Sequence, residues 1–362
     1  MPSAQQAAQA SDEAAPVRAG EELDLEALGP YLRAQLELAD DAEITVAQFP
    51  GGHSNLTYLV TAGDREFVLR RPPFGTEVKT AHDMEREYRV LSALAPRWSL
   101  APRPLFLCAD ESLLGAKFYG MERRRGVILR RKPVPGLIPN AAAGAALSRA
   151  AIDTLASLHA IDYVAAGLGE LGRPEGFVER QVNGWSRRYE DARTDEIPTM
   201  EALATWLSDH LPESGPPALI HNDFKFDNLV LDPEDLTRVT AILDWEMATV
   251  GDPLIDLGTA LCYWVEAEDP EPMKLISFGP TALPGFYTRR QVAERYAEQT
   301  GRAIDGVLYY YIFGLFKTAV VTQQIYARFA RGMTNDRRFA MMLEATKILA
   351  GQAERALTRG TL

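Results

Sequence analysis

Cysteine is nearly missing from this chain: two occur in 362 residues, Cys108 and Cys262, each inside an apolar run. That excludes a disulfide framework and a Cys-rich zinc site, and both thiols read as small buried core side chains. Positive charge is also short, with 38 Lys and Arg against 50 Asp and Glu, a net charge of -12 and a pI near 5.1. A general nucleic-acid binder draws its affinity from cations meeting phosphates, so this balance excludes that class. No apolar stretch approaches the roughly 20 residues that a membrane span needs. The longest aromatic and aliphatic run, Val307 to Phe316, stops at Lys317 and reads as a core helix. The first 20 residues carry no basic start followed by an apolar segment and do not resemble a secretory signal. The expectation is a cytoplasmic protein with no membrane or nucleic-acid partner and a disordered tail over residues 1–20.

What is present is the content of an ordinary globular protein, 46% hydrophobic and 24% charged, at a length that favours two lobes. A short helix is expected around Asp24 to Glu37. From Glu43 to Arg71 apolar and polar residues alternate, and the turn signals Pro50-Gly51-Gly52 and Gly63-Asp64 divide the stretch into three strands. A helix follows from about Thr80 to Ala95, with Met84, Tyr88, Leu91 and Leu94 at helical spacing. Strands near Pro104 to Ala109 and Lys117 to Glu122 complete a five-stranded antiparallel sheet. Beyond Ala141 the pattern is mainly helical, except that two short apolar strands between Leu219 and Asp244 flank the polar turn Asp232 to Arg238. The fold class is therefore α+β, with a small sheet lobe over 21–121, a hinge over 122–132 and a larger, mainly helical lobe over 133–362.

The stretch His221-Asn222-Asp223-Phe224-Lys225-Phe226-Asp227-Asn228, followed by Ala241-Ile242-Leu243 into Asp244, carries the chemistry. A phosphoryl-transfer centre needs a group that orients a hydroxyl and oxygen ligands for Mg2+, with an Asn five residues after the catalytic Asp and a second Asp at a strand end. Asp223, Asn228 and Asp244 fit those three positions. Asn228 and Asp244 would be the metal ligands, suited to a hard cation that keeps several waters. Lys225 is a mobile cation for the transferred phosphoryl, and His221 reads as a brace of the loop. Turn and cap roles would explain each of these residue types singly. A chance match of His221, Asp223, Lys225, Asn228 and Asp244 in that order is improbable.

Upstream, Gly51, Gly52, Ser54 and Asn55 lie in a turn between two strands, where backbone N–H groups can meet phosphates. The third strand ends Phe67-Val68-Leu69-Arg70, where a kinase keeps a phosphate-binding Lys, and Glu87 on the next helix offers an ion-pair partner. Arg70 in place of Lys is a departure, since a planar guanidinium is not an ammonium point charge. Arg71 is the candidate if the register shifts by one. Gly251-Asp252-Pro253 reads as a turn in which Asp252 caps a helix, and Asp256 is a candidate to reach back to the catalytic loop.

H-N-D-F-K-F-D-N, I-L-D-W-E in place of the protein-kinase D-F-G, and G-D-P-L-I-D-L together resemble the aminoglycoside phosphotransferase-like family. F-V-L-R-R-P-P at Phe67 to Pro73 and R-E-Y-R-V-L at Arg86 to Leu91 look like the branch found as the kinase domain of acyl-CoA dehydrogenase family members 10 and 11. The resemblance spans roughly residues 40 to 330. It implies a two-lobed protein-kinase-like fold, ATP with Mg2+, transfer to a small-molecule hydroxyl, and backbone hydrogen bonds to adenine from Met121, Glu122 and Arg123. No A-P-E element follows Asp244, which disfavours a protein substrate. For the acceptor, the acidic stretch Glu266 to Glu271 suits a polycationic aminoglycoside. The six cations among Arg123 to Lys132 suit an anionic acceptor such as a hydroxyacyl-CoA. A non-catalytic nucleotide-binding scaffold is the alternative of another class. Monomer and homodimer are both compatible with the pattern.

Overall fold

Alternation decides the first part of the chain. The computed structural model describes residues 13–49, 55–74, 83–334 and 336–362. Within it, β1 (Ile44–Gln48) pairs antiparallel with β2 (Leu56–Ala62), which buries every second residue: Leu56, Tyr58, Val60 and Ala62. Period-two burial is what a strand with one core face produces. β2 continues through a turn at Gly63, where φ is +60°, into β3 (Arg65–Arg71); glycine enters that left-handed region at little cost. β4 (Pro104–Cys108) and β5 (Phe118–Glu122) complete the expected five-stranded antiparallel sheet, in the order β1-β2-β3-β5-β4. Helix α1 (Leu25–Leu36) sets Leu28, Leu32 and Leu36 into one cluster with Tyr58, Val60, Phe67, Leu69, Phe106 and Phe118 of the sheet. Helix α2 (Met84–Leu94) is capped by Asp83, which accepts the Arg86 N–H at 2.9 Å, and buries Glu87 among Met84, Val90, Leu91 and Leu94.

Four short strands follow: β6 (Ala218–Ile220), β7 (Leu229–Leu231), β8 (Val239–Ile242) and β9 (Thr249–Gly251). β7 pairs with β8 and β6 with β9, both antiparallel. The described residues pack as two units, one running up to Ile128 and including Leu229–Ala248, the other made of Leu129–Asn228 and Thr249–Leu362. Apolar patterning marks β7 and β8 as strands but is silent on which unit they join. Backbone pairing decides it: Val127 and Leu231 exchange hydrogen bonds of 2.8 and 2.9 Å, and the Ile242 N–H donates to the Leu100 carbonyl at 2.8 Å.

The second unit is mainly helical, with α3 (Ala141–His159), α4 (Phe177–Ala192), α5 (Pro198–Asp209), α6 (Pro253–Tyr263), α7 (Glu271–Leu275), α8 (Arg289–Thr300), α9 (Val307–Ala330) and α10 (Met342–Arg359). The run ending at Lys317 is indeed core helix: α9 is buried on nearly every side along Tyr309 to Val320. It crosses α6 where glycine faces glycine, since a Cβ on Gly258 would collide with the Tyr310 carbonyl and one on Gly314 with the Gly258 carbonyl. That close approach brings Tyr310 and Lys317 of α9 to the elements that begin and precede α6. Among the described residues no helix is long and apolar enough to cross a membrane.

Candidate active site

A buried carboxylate holds the loop after β6. Asp256, fully buried on the first turn of α6, accepts the His221 N–H at 2.6 Å and the Asn222 N–H at 2.8 Å, and its Oδ2 lies 3.2 Å from His159 Nε2. Asn222 takes φ of +66°, a region costly for a side chain other than glycine and found where surrounding contacts over-determine it. The buried His221 accepts the Asp223 N–H at its Nδ1, 3.3 Å away, which is the geometry of a brace. Asp252 caps α6 by accepting the Leu254 N–H at 2.9 Å and also accepts the Tyr310 hydroxyl at 2.7 Å. The reach of Asp256 to the loop and the capping role of Asp252 are both as the sequence suggested.

Asp223 is ringed by donors. Its Oδ1 accepts the Tyr263 hydroxyl at 2.8 Å, and its Oδ2 accepts Lys225 Nζ at 2.6 Å and Asn228 Nδ2 at 3.0 Å. Burial pushes the Asp223 carboxyl up, but the Lys225 ammonium outweighs it, so the group sits below its ordinary value and is ionised at neutral pH. Burial raises the Tyr263 phenol well above its usual range, and the Asp223 charge adds to this, so the phenol remains a donor. Asn228 donates to the Asp223 backbone carbonyl at 2.8 Å as well. Both of these bonds use the amide nitrogen. Lys225, expected as a mobile cation, is an Asp223 partner whose Nζ lies 5.0 Å from the Tyr263 ring and 5.3 Å from that of Phe278.

In the first unit a second cluster forms around Arg70. Its guanidinium contacts Glu87 at 2.6 Å and Asp244 at 2.9 Å, with Glu246 at 3.7 Å. Burial works against this cation, and Glu87 and Asp244 outweigh it, holding the guanidinium pKa well above its usual value. The pleat settles Arg70 against Arg71: a one-residue slip exchanges faces. Arg71 shares the Leu69 face and lays its guanidinium 3.5 Å from the Phe74 ring centroid, so Glu87 has Arg70 as its partner. Asp244, two residues beyond the end of β8, adopts φ of +69°. Asn55 Nδ2 donates to Glu246 at 2.6 Å. Gly51, Gly52 and Ser54 lie outside the described residues. Met121 and Glu122 are the last residues of β5, and the Glu122 N–H donates to the Arg103 carbonyl at 2.8 Å. Arg123 pairs with Glu66 at 2.9 Å.

An Asp-Asn loop after β6, a second Asp shortly after β8 and a buried cation–Glu pair on the sheet are residue types that phosphoryl transfer calls for. The chain matches the phosphotransferase enzyme family over residues 45–293, more than half its length. It belongs to that family.

This phosphotransferase is 34% identical to mouse acyl-CoA dehydrogenase family member 10 over 343 residues, covering 94% of this chain and 31% of that protein. It is 33% identical to human acyl-CoA dehydrogenase family member 11 over 320 residues, covering 85% of this chain and 40% of that one. The chain thus spans about a third to two fifths of the length of these relatives. A provisionally named aminoglycoside phosphotransferase from Ralstonia eutropha JMP134 superposes with a TM-score of 0.77 at 29% identity, over 93% of this chain and 99% of that one. Choline kinase from Cryptosporidium parvum Iowa II gives 0.62 at 13% identity over 93% and 97%, a likeness of fold alone. The fold is the two-lobed protein-kinase-like α+β fold, with a small antiparallel sheet lobe and a larger helical lobe.

Several residues that shape the phosphotransferase site carry no motif. Tyr263 ends α6 and bonds Asp223, His159 ends α3 and joins Asp256, and Lys317 Nζ donates to the Asn222 carbonyl at 2.6 Å. Lys317 had one signal, a lone lysine closing a long apolar run. The acidic stretch Glu266 to Glu271 is largely consumed within the fold: Asp269 and Glu266 both engage the buried Arg289, and Glu271 pairs with Lys274 at 2.9 Å. The basic strip divides. Arg123 and Arg125 share Glu66, and Arg124 pairs with Glu122 at 2.6 Å. Arg130 stands 3.9 Å from Asp227.

Proposed function

We propose that this chain is an ATP- and Mg2+-dependent O-phosphotransferase that moves the γ-phosphate to a hydroxyl of a small molecule of the hydroxyacyl-CoA type. The carrying observation is Asp223, an ionised carboxylate gripped by Lys225, Asn228 and Tyr263 on a loop fixed by Asp256. A carboxylate held below its usual pKa is a weak base. Phosphoryl transfer through a loose transition state asks little of a base and much of orientation. Asp223 therefore acts by accepting a hydrogen bond from the acceptor hydroxyl and aiming its oxygen, with the proton leaving late. Lys225 offsets negative charge beside it.

The donor set fits a hard cation: the Asn228 amide oxygen and the Asp244 carboxylate are oxygen ligands, and no richer protein cage is required when nucleotide phosphates and waters fill the remaining positions. When bound, Mg2+ neutralises charge on the phosphate oxygens. Arg70, aligned by Glu87, would meet the α- and β-phosphates, with adenine against the backbone of Met121 to Arg123. The sheet lobe is thus the nucleotide-binding part, and the helical lobe the acceptor part.

Kinship with acyl-CoA dehydrogenase family members 10 and 11 supports an acyl-type acceptor. The occupation of Asp269 and Glu266 by Arg289 takes carboxylates away from a polycationic aminoglycoside. A coupled ADP-release assay with Mg·ATP, run against hydroxyacyl-CoA thioesters and against aminoglycosides, tests the reading. Release that requires a thioester and Asp223 is the expected result. Release with aminoglycosides alone would overturn the acceptor, and no release together with no thermal shift by Mg·ATP would leave a non-catalytic scaffold.

A further inference from the structure

Arg131, Lys132 and Lys274 line a cavity of about 210 Å3 together with Ser277, Gly279 and Pro280, and among the described residues no acidic side chain lines it. In a chain of net charge -12 this is a local reversal of sign. The same segment exposes apolar surface, with Leu275, Phe278 and Leu283 at 67%, 40% and 38% exposure. Apolar side chains beside clustered cations suit an amphipathic anion.

The cavity wall is fastened to the catalytic loop. The Phe278 ring meets Tyr263, the Asp223 donor, edge to face at a centroid distance of 5.2 Å. Gly279 lies against Phe226 of the catalytic loop so closely that a Cβ there would stand 3.3 Å from the Phe226 Cβ. Arg131 anchors the far side by donating to the Leu275 carbonyl at 2.7 Å. Lys274 pairs with Glu271 at 2.9 Å, and that carboxylate is 81% exposed, so solvent screens the pair and Lys274 can exchange it for a ligand.

We infer that this cavity is an oxyanion subsite, receiving a phosphate or carboxylate that the acceptor carries at the end remote from the hydroxyl presented to Asp223. Lys132 and Lys274 supply charge-assisted hydrogen bonds, while Leu275, Phe278 and Leu283 receive the apolar part between. The inference rests on the phosphotransferase reading given above and adds the feature by which the site selects its acceptor.

The test uses the full chain and one hydroxyacyl group in three forms: coenzyme A thioester, free carboxylate and neutral methyl ester. Calorimetric titration measures binding of each to wild type, to Lys132→Ala, and to a Lys132→Glu/Lys274→Glu double variant whose melting matches wild type. The anionic forms should bind wild type and lose at least tenfold in affinity in the double variant, with an intermediate loss for Lys132→Ala. In ADP release, the kcat/KM ratio of the charged forms to the methyl ester should fall by the same factor. Preference for the thioester assigns the subsite to phosphate, and preference for the free acid assigns it to carboxylate. Equal affinity of wild type and double variant for both anionic forms, or no binding of either form to wild type, overturns the subsite. Absence of ADP release with intact, lysine-dependent binding would instead count against the phosphotransfer reading alone.

Discussion

Lys317 Nζ lies 2.6 Å from the Asn222 carbonyl oxygen, while Asp256 holds the Asn222 N–H at 2.8 Å from the opposite end of the residue. One cation and one anion thus clamp a left-handed residue immediately before Asp223. The clamp explains how a conformation that costs on the order of 1 kcal/mol or more persists in the catalytic loop.

Burial pushes the Lys317 ammonium down to about 8, although Asp223 and Asp256 pull it up. Asp223, Asp256, Cys262 and Lys225 are the ionisable groups around it. The cation is present below that pH and lost as pH rises through it, so kcat should fall above pH 8. Stability moves the other way: between about 8 and 10.5 the unfolded chain binds the proton that the folded chain has released, so this group's contribution grows with pH. Lys317→Met should lower kcat and flatten the alkaline limb, and Lys317→Arg should move it upward. An unchanged limb in Lys317→Met would remove Lys317 from the effect.

Asp223→Ala should reduce kcat by about 10²- to 10⁴-fold, the range typical of a positioned acid–base or hydroxyl-orienting group. Mg·ATP binding should survive, as read by thermal shift. Asp244→Ala should do the reverse in order, weakening Mg·ATP binding first. Full turnover in the Asp223 variant would exclude that residue from the reaction.

Arg70→Met strands Glu87 in a site where its side chain is 1% exposed. Removing one partner of a buried pair costs about 3–5 kcal/mol. Denaturant unfolding should show that loss, and the double substitution Arg70→Met/Glu87→Leu should recover most of it because no charge is left buried. If single and double variants are equally destabilised, the pair is not what Glu87 depends on.

Asp256→Asn keeps the volume of the side chain but replaces one acceptor oxygen by a donor that faces the N–H groups of His221 and Asn222. A stranded buried donor costs about 1–3 kcal/mol, so stability should fall by that order and kcat should fall with it, while KM for ATP stays near wild type. A variant with normal kcat would mean the loop holds its shape without this carboxylate.

The order of chemistry-bearing residues was legible along the chain. His221, Asp223, Lys225, Asn228 and Asp244 stand at fixed spacings, and local rules of alternation and turn formation located the strands that carry them. The five-strand sheet could be read because one buried face forces period two, and Glu87 because helical spacing puts it on the α2 face that buries Met84 and Leu91. Tertiary structure decided what no spacing encodes. Tyr263 reaches Asp223 across 40 positions, Lys317 reaches Asn222 across 95 and His159 reaches Asp256 across 97. Pairings of that length depend on how α3, α6 and α9 pack, which follows from the shapes of whole helix faces, down to the glycine contact of Gly258 with Gly314. The same holds for charge: the acidic stretch and the basic strip look alike as letters until folding assigns Asp269 to Arg289 and Glu66 to Arg123 and Arg125, leaving Lys132 and Lys274 facing a cavity.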